Sequence, residues 1–366
     1  MRDQKLALLF ALQEQPIAPA AKLAEEAGVT PPTARAWLED LSKDEVYNGV
    51  QANLRVRKLG LEIDDFLVGV SSFHALKSIE KFCNEHPYTS YRARVYGGKT
   101  QGMILQFRQP DAARKHLEQA LYRMKKAEMI TTIRELPTLR AVYGSTYTRP
   151  RLDNWVPEKM IWDFDWQDWW SKAPNDSETP PIKKPDDERI DFDLVDTKIL
   201  QEITMNARRK NVEIITAMGL DPNAKGVQQD FSTRLNRIKD ELVESYRVFI
   251  NWTHFDVYNT AFVIAKAQAD TTRKLITHLR NSEFPFGSSI RQTPSGFVWS
   301  ARLPSAHLSE MISLIWQISD SYELLMIDYK HSDVYGLWHG AFDQKTSDWR
   351  VDKDFCLDAP LKSIGL

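Results

Sequence analysis

The chain has 366 residues, 42% of them hydrophobic, and a formal net charge of −2. At roughly 100–200 residues per domain this suffices for two to four domains, each with a core of its own. The near-neutral balance speaks against a generic polyanion binder. No apolar run reaches the ~18 residues a membrane-spanning helix needs. Two cysteines, Cys83 and Cys356, far apart and in no metal-type spacing, exclude a disulfide framework.

Residues 4–14 place Leu6, Leu9, Phe10 and Leu12 near one face of a helix, which reads as amphipathic rather than as a signal peptide. Pro16 and Pro19 interrupt it and open a second helix, which Gly28 ends in the left-handed region. Thr30 then caps a third helix over 31–42, with Pro31 at its first position. This is a helix-turn-helix pattern. Ala24 is the small residue, Gly28 the turn glycine, and Leu23, Ala27, Val29, Ala34 and Trp37 are the apolar contacts. The second helix of such a motif enters the major groove N-terminus first, which assigns Thr30, Pro32, Thr33 and Arg35 to bases or phosphates. Residues 46–59 carry Asn48-Gly49 between β-prone residues and read as a two-stranded wing. Arg55, Arg57 and Lys58 on it are placed for phosphates, or are charges that guard a strand edge.

A strand at 66–70, a helix at 75–85, strands at 90–96 and 103–108, a helix at 112–126 and a strand at 130–136 follow. The order βαββαβ is that of a ferredoxin-like sandwich, with helices on one sheet face and the other face bare to pair with a copy of itself. A Gly97-Gly98 turn joins the middle strands, and Arg92, Arg94 and Lys99 extend a basic face. Residues 61–150 hold 14 basic and 9 acidic side chains, whereas 151–193 hold 6 and 12. Alternation of Trp162, Phe164 and Trp166 with acids predicts a strand that packs one face on the sandwiches, sealing an interface or, less simply, caging a ligand. Residues 172–189 are rich in Pro and charge and read as a linker.

The second half repeats this order. Val195, Ile199 and Ile203 form a stripe capped by Asp193, a second helix ends at Gly219, and residues 221–226 lengthen the turn. The third helix, 228–242, turns Phe231, Leu235, Ile238 and Leu242 inward. Gln228, Gln229, Thr233, Arg234 and Arg237 face outward, where Gln and Arg suit adenine and guanine edges. Strands at 262–267, 288–293, 297–303 and 323–329 and helices at 271–281 and 305–319 complete a second sandwich. Val142-Tyr143-Gly144 recurs as Val334-Tyr335-Gly336, Trp155 as Trp349, and Gly28 as Gly219, all at offsets near 192. A common offset predicts an internal duplication.

These residues resemble the Lrp/AsnC family of transcription regulators. Residues 193–209 carry the match, with Asp193, Asp196, Ile199-Leu200 and Asn206-Ala207-Arg208 in the pattern of that family's opening helix. The resemblance covers nearly the whole chain. It implies winged helices that bind double-stranded DNA and sandwich domains for self-association, as a homodimer or an internal pseudo-dimer, with a small-molecule effector. Two departures stand out. Gly102 and Gly296 lack the aspartate that follows in the family, and this chain has two winged helices instead of one.

The fold class expected is therefore α+β, with two winged helix-turn-helix modules alternating with two βαββαβ sandwiches. The expected boundaries are 1–59, 60–150, a connector at 151–190, 191–254, 255–335 and a tail at 336–366. The function expected is a DNA-binding regulator in the cytoplasm, on the nucleoid, and not an enzyme. The alternatives are an interaction scaffold with degenerate helix-turn-helix units and a decarboxylase-like enzyme, since siroheme decarboxylases resemble this architecture. No cofactor, ligand site or membrane contact is indicated. His331, Asp333 and His339, or Cys83 with His86, match no metal ligand set.

Overall fold

The computed structural model describes residues 3–97, 100–137, 145–148, 151, 154–159, 161–175, 188–255 and 259–366. The turn at Gly98, Lys99, the Val142-Tyr143-Gly144 copy of the repeat and most of the linker lie outside the described residues.

The chain opens with α1 (Asp3–Glu14), α2 (Ala20–Glu26) and α3 (Pro31–Lys43), then β1 (Tyr47–Leu54). Next come β2 (Glu62–Val70), α4 (Phe73–Glu85), β3 (Thr89–Gly97), β4 (Thr100–Gln109), α5 (Asp111–Lys126) and β5 (Ile130–Glu135). The connector holds β6 (Ser145–Thr148), β7 (Trp155–Val156), β8 (Ile161–Trp162) and α6 (Trp166–Ser171). The same order follows as α7 (Leu194–Asn206), α8 (Asn211–Ala217), α9 (Val227–Glu241) and β9 (Val243–Ile250). The second βαββαβ is β10 (Asn259–Lys266), α10 (Ala269–Asn281), β11 (Ser288–Thr293), β12 (Gly296–Leu303), α11 (Leu308–Ile318) and β13 (Ser321–Ile327). The tail carries β14 (Asp333–Val334), β15 (Phe342–Asp343), β16 (Asp348–Trp349) and α12 (Ala359–Lys362).

The architecture is α+β. One curled sheet runs β5-β2-β4-β3-β13-β10-β12-β11-β6, with β14 also on β3. Each βαββαβ contributes its four strands in the ferredoxin-like order, and β13 meets β3 antiparallel between them. The helix-covered faces form separate cores. Leu76, Ile79, Phe82, Leu117 and Leu121 pack on β2–β4, and Leu275, Ile276, Leu279, Met311 and Leu314 on β10–β12. The two remaining faces meet each other, with Leu67, Val95, Ile104, Phe262, Val298 and Leu325 in one buried cluster. The bare face of each sandwich is thus covered by the other sandwich of the same chain.

The expected wing hairpin at 46–59 does not form. Asn48-Gly49 is a bulge inside a single strand, and β1 pairs antiparallel with β9 of the other half. Gly49 takes φ +107°, and the Asn206 side chain fills the space its missing side chain leaves while accepting from the Val50 amide at 3.2 Å. A Cβ on Gly49 falls 2.9 Å from Asn206 Cγ, so the site demands glycine. The physical reason is burial. Val50, Ala52 and Leu54 need a covered face, and an isolated two-stranded ribbon offers none.

The Trp-rich segment also departs from expectation. It turns helical at Trp166 because Asp165 caps the backbone amides of Gln167 and Asp168, and because Trp166 and Trp169, three apart, point to one core. These rings pack with Phe164, Phe284 and Phe286 into the second sandwich, so they are core rather than a ligand cage. His307 locks the contact, accepting from Trp166 Nε1 at 3.2 Å and donating from Nε2 to the Trp162 carbonyl at 2.9 Å. The tail does the reverse. Leu357 and Leu361 join the core of the first sandwich, while Phe342 and Trp349 join that of α7–α9. Each connector therefore straps an element of the opposite half, and β6 on β11 and β14 on β3 repeat the exchange.

Candidate ligand cavity between the two sheets

The inner sheet faces change character along their strands. On β4 the inward positions run Ile104, Gln106, Arg108, and on β12 they run Val298, Ser300, Arg302. Their neighbours follow the same switch. Leu67 gives way to Asp65 on β2 opposite Gln106, and Ile264 and Phe262 give way to Thr260 on β10 opposite Arg302. Apolar ends pack, but polar ends carry charge that packing would desolvate, so the sheets part there. The paired strands β1 and β9 roof the opening with Gln51, Asn53, Arg247 and Phe249. The result is a cavity of about 920 Å³.

Four arginines line it: Arg108, Arg247, Arg291 and Arg302. Arg291 is paired with Asp65, whose side chain is 1% exposed and also accepts from Gln106 Nε2 at 2.8 Å. Arg302 lies over the Tyr329 ring at 5.1 Å and Arg247 over Phe249 at 5.9 Å. Arg108 makes no ion pair or side-chain hydrogen bond among the described residues, and burial pulls its pKa down to about 10. Arg108 and Arg302 hold equivalent positions near the ends of the two third strands. The tyrosines differ in their commitments. Tyr329 Oη donates to the Ile250 carbonyl at 3.2 Å, and Tyr335 Oη is taken by Arg92 at 2.8 Å and by Asn84. Tyr91 faces the cavity with the Ser332 hydroxyl beside it. Burial raises its pKa against the opposing charges of Arg302 and Arg247.

None of the residues assigned to DNA from sequence lines this cavity. Thr30 caps α3, accepting from the Thr33 amide at 3.3 Å, and Thr30, Pro32 and Arg35 are exposed with Thr33 half-buried. Arg55, expected on a wing strand, instead donates to the carbonyls of Asp240 and Glu241 at the end of α9, at 3.1 and 3.0 Å. Arg57 pairs with Glu62, and Lys58 sits in a helical turn after β1. Gln228 donates to the Pro222 carbonyl, Thr233 to the Gln229 carbonyl, and Gln229 is exposed. Arg234 binds Asp193, Asp196 and Asp230, and Arg237 binds Asp196, so both are drawn toward α7. Arg92 and Arg94 do not form a basic face. They are buried on Glu80, and Arg92 also binds Asp333. Burial alone raises the Glu80 pKa, but its bonds from Arg94 and Lys77 outweigh that and hold it low. Arg55→Ala is expected to cost about 1 kcal/mol, because two helix-end carbonyls lose their donor. The midpoint of a denaturant titration checks this, and an unchanged midpoint removes the capping role.

The signal for the cavity was present in the sequence as two alternations that turn from apolar to polar, Ile104 to Gln106 to Arg108 and Val298 to Ser300 to Arg302, with the arginines 194 residues apart. Only the facing of the sheets gives it meaning.

The fold and cavity define an α+β protein built around a charged chamber between two sandwich sheets. No family model matches the chain, and no curated protein matches it either. Among solved structures, that of the siroheme decarboxylase NirDL is similar over 99% of this chain and 98% of its own, with a TM-score of 0.53 and 11% identity. The same enzyme in co-complex with an iron-uroporphyrin III analogue matches equally. An AsnC family transcriptional regulator from Agrobacterium tumefaciens covers 37% of this chain and 88% of its own at 20% identity and a TM-score of 0.31. E. coli AsnC covers 39% and 97% at 16% identity and 0.31. At such identities the likeness is one of fold. The expectation that the chain is not an enzyme is corrected here, because the architecture matched from end to end is that of an enzyme. The regulator likeness reaches about 37% of the chain. No helix among the described residues is long and apolar enough to cross a membrane.

Proposed function

We propose that this chain binds a polycarboxylate tetrapyrrole between its two sheets and releases carboxyl groups from it as CO2, a decarboxylase on a duplicated regulator-like scaffold. The observation that carries this reading is the cavity of about 920 Å³ with four arginines on its walls, one of them without a protein partner. A large pocket with a few placed charges suits a large ligand with several carboxylates. Ile104, Phe262 and Ile327 offer an apolar surface for a flat macrocycle, and Arg108 and Arg302 offer bidentate donors at two equivalent places. The full-length likeness to an enzyme whose co-complex holds an iron-uroporphyrin III analogue supports the choice of ligand.

Iron-uroporphyrin III, titrated into the purified protein, is expected to give a saturable shift of its Soret band that weakens with salt. Incubation with siroheme is expected to yield products lighter by CO2 in a mass spectrum. A Soret band that stays fixed throughout the titration sinks the proposal.

DNA binding by α3 is a second reading, favoured by the exposure of Thr30, Pro32 and Arg35 at its N-terminus. On that reading Arg35→Ala weakens retention on a DNA fragment and flattens its salt dependence. Equal retention by the variant removes Arg35 from the contact.

A further inference from the structure

When an acetate side chain loses CO2, the electron pair of the broken C–C bond stays on the methylene carbon and spreads into the conjugated ring. A proton must then reach that carbon, so that R–CH2–CO2− plus H+ gives R–CH3 plus CO2. Building on the decarboxylase reading above, we propose that Tyr91 is the acid that delivers this proton, from a single end of the cavity.

The other acids of the lining are already committed or misplaced. Both carboxylate oxygens of Asp65 are taken, one by Arg291 and the other by Gln106 Nε2 at 2.8 Å. Glu244 is exposed on the roof strand β9. The hydroxyls of Tyr329 and Tyr335 are spent on the Ile250 carbonyl and on Arg92 with Asn84. Lys330 is exposed, and no histidine lines the cavity among the described residues. Tyr91 remains. It sits on β3 opposite Gln106 and against Val334 of β14, so backbone pairs fix it on both sides. Burial keeps its phenol protonated across the neutral range, which is the state a proton donor needs. Arg302 and Arg247 act on it with positive charge, which places a carboxylate-binding group beside the donor and eases formation of the tyrosinate once the proton has left. Ser332 lies beside the phenol, with its own hydroxyl donating to the Asp328 carbonyl at 2.8 Å.

The two halves are not equivalent at this point. Gln106 on β4 corresponds to Ser300 on β12, since both stand two residues before the cavity arginine. The partner of Gln106 on β3 is Tyr91, and the partner of Ser300 on β11 is Ser289. Both Tyr91 and Ser289 line the cavity, but only one is an acid of this kind. The chamber thus has one working end, and a substrate with several carboxylates must turn or rebind to lose a second.

The experiment is Tyr91→Phe in the full chain, with iron-uroporphyrin III for binding and siroheme for turnover. Tyr91→Phe is expected to bind with affinity within a few-fold of the parent and to lose turnover by about 10²–10⁴. Full turnover by the variant overturns the assignment while leaving the cavity reading intact. Loss of binding alongside turnover also overturns it, since Tyr91 is then part of the walls rather than the acid. Parent protein that binds but releases no CO2 overturns the reaction and the acid together. Parent protein that does not bind overturns the cavity reading itself.

Discussion

Gly102→Ala is expected to destabilise the protein by about 3 kcal/mol or more, a large effect for a single methyl group. A Cβ at this position falls 1.9 Å from the Val68 carbonyl oxygen and 3.1 Å from the Gly69 Cα. Gly102 and Gly69 are register partners on β4 and β2, and Thr131 and Thr132 close in over Gly69 from β5. The obstacle is backbone on the neighbouring central strand, which cannot swing aside as a side chain can. Relief requires β2 and β4 to separate, which breaks ladder bonds and opens the core behind Val68 and Met103. Gly28→Ala is the control. Gly28 has φ +64° but nothing within 4 Å, so alanine there meets only backbone strain, about 1 kcal/mol. Denaturant unfolding of the two variants reads the difference. Similar midpoints mean that the approach of β2 to β4 is looser than described. At the same point of the second sandwich, a Cβ on Gly296 would fall 2.3 Å from the Ala265 carbonyl oxygen, so the same argument applies there. This accounts for a family-like glycine in both halves without the aspartate that follows it in the regulators. The glycine serves strand approach, and no ligand is needed to explain it.

Arg108→Met is expected to move stability and binding in opposite directions. The guanidinium is charged at neutral pH, largely removed from water, and has no anion in the chain to meet it. Replacing it with an apolar chain of similar length removes that cost and stabilises the unliganded protein by about 1–2 kcal/mol. The same change deletes one bidentate contact to a ligand carboxylate, about 1.5–3 kcal/mol, or roughly tenfold to a hundredfold in affinity. The pH dependence has a definite sign. A base whose pKa is lowered by folding, here to about 10, costs the same stability at all pH below that value. Above it the folded state has shed a proton that the unfolded state retains, so stability rises. The advantage of Arg108→Met should therefore shrink as the pH climbs past about 10. Thermal unfolding at neutral and alkaline pH, with an iron-uroporphyrin III titration at neutral pH, covers all of these. A less stable variant shows that Arg108 has a protein partner and is not poised for an anion. Activity sites trade stability for such poised charges.

Much of the local structure was written in short stretches of sequence. Thr30-Pro31 after Gly28 starts α3 where a cap and a fixed φ require it, and Asp193 with Asp196 closes a capping box on α7. The βαββαβ order was legible twice over, because period-2 and period-3.6 patterns depend only on neighbours along the chain. What failed were the places where two local signals compete or where the partner lies far away. Asn48-Gly49 is a turn by composition, but Asn206, 157 residues after Gly49, makes it a bulge. Trp162, Phe164 and Trp166 alternate like a strand, and Trp162 does pair with Trp155, yet Asp165 and the core beneath Trp166 and Trp169 select a helix from Trp166 onward. Arg92, Arg94, Arg234 and Arg237 look like an exposed basic surface until Glu80 and Asp196 are brought to them.

The cavity belongs wholly to this second class. The sequence by itself determined that each inner strand face turns from apolar to charged, at Gln106-to-Arg108 and at Ser300-to-Arg302, because alternation decides which residues share a face. It could not determine that the two charged ends face one chamber. That follows from β3 meeting β13, from β1 meeting β9, and from the connectors crossing between halves, all contacts between residues far apart in the chain. Such pairings are chosen by which exposed edges and apolar faces can be buried together, a condition met only when the whole chain has folded.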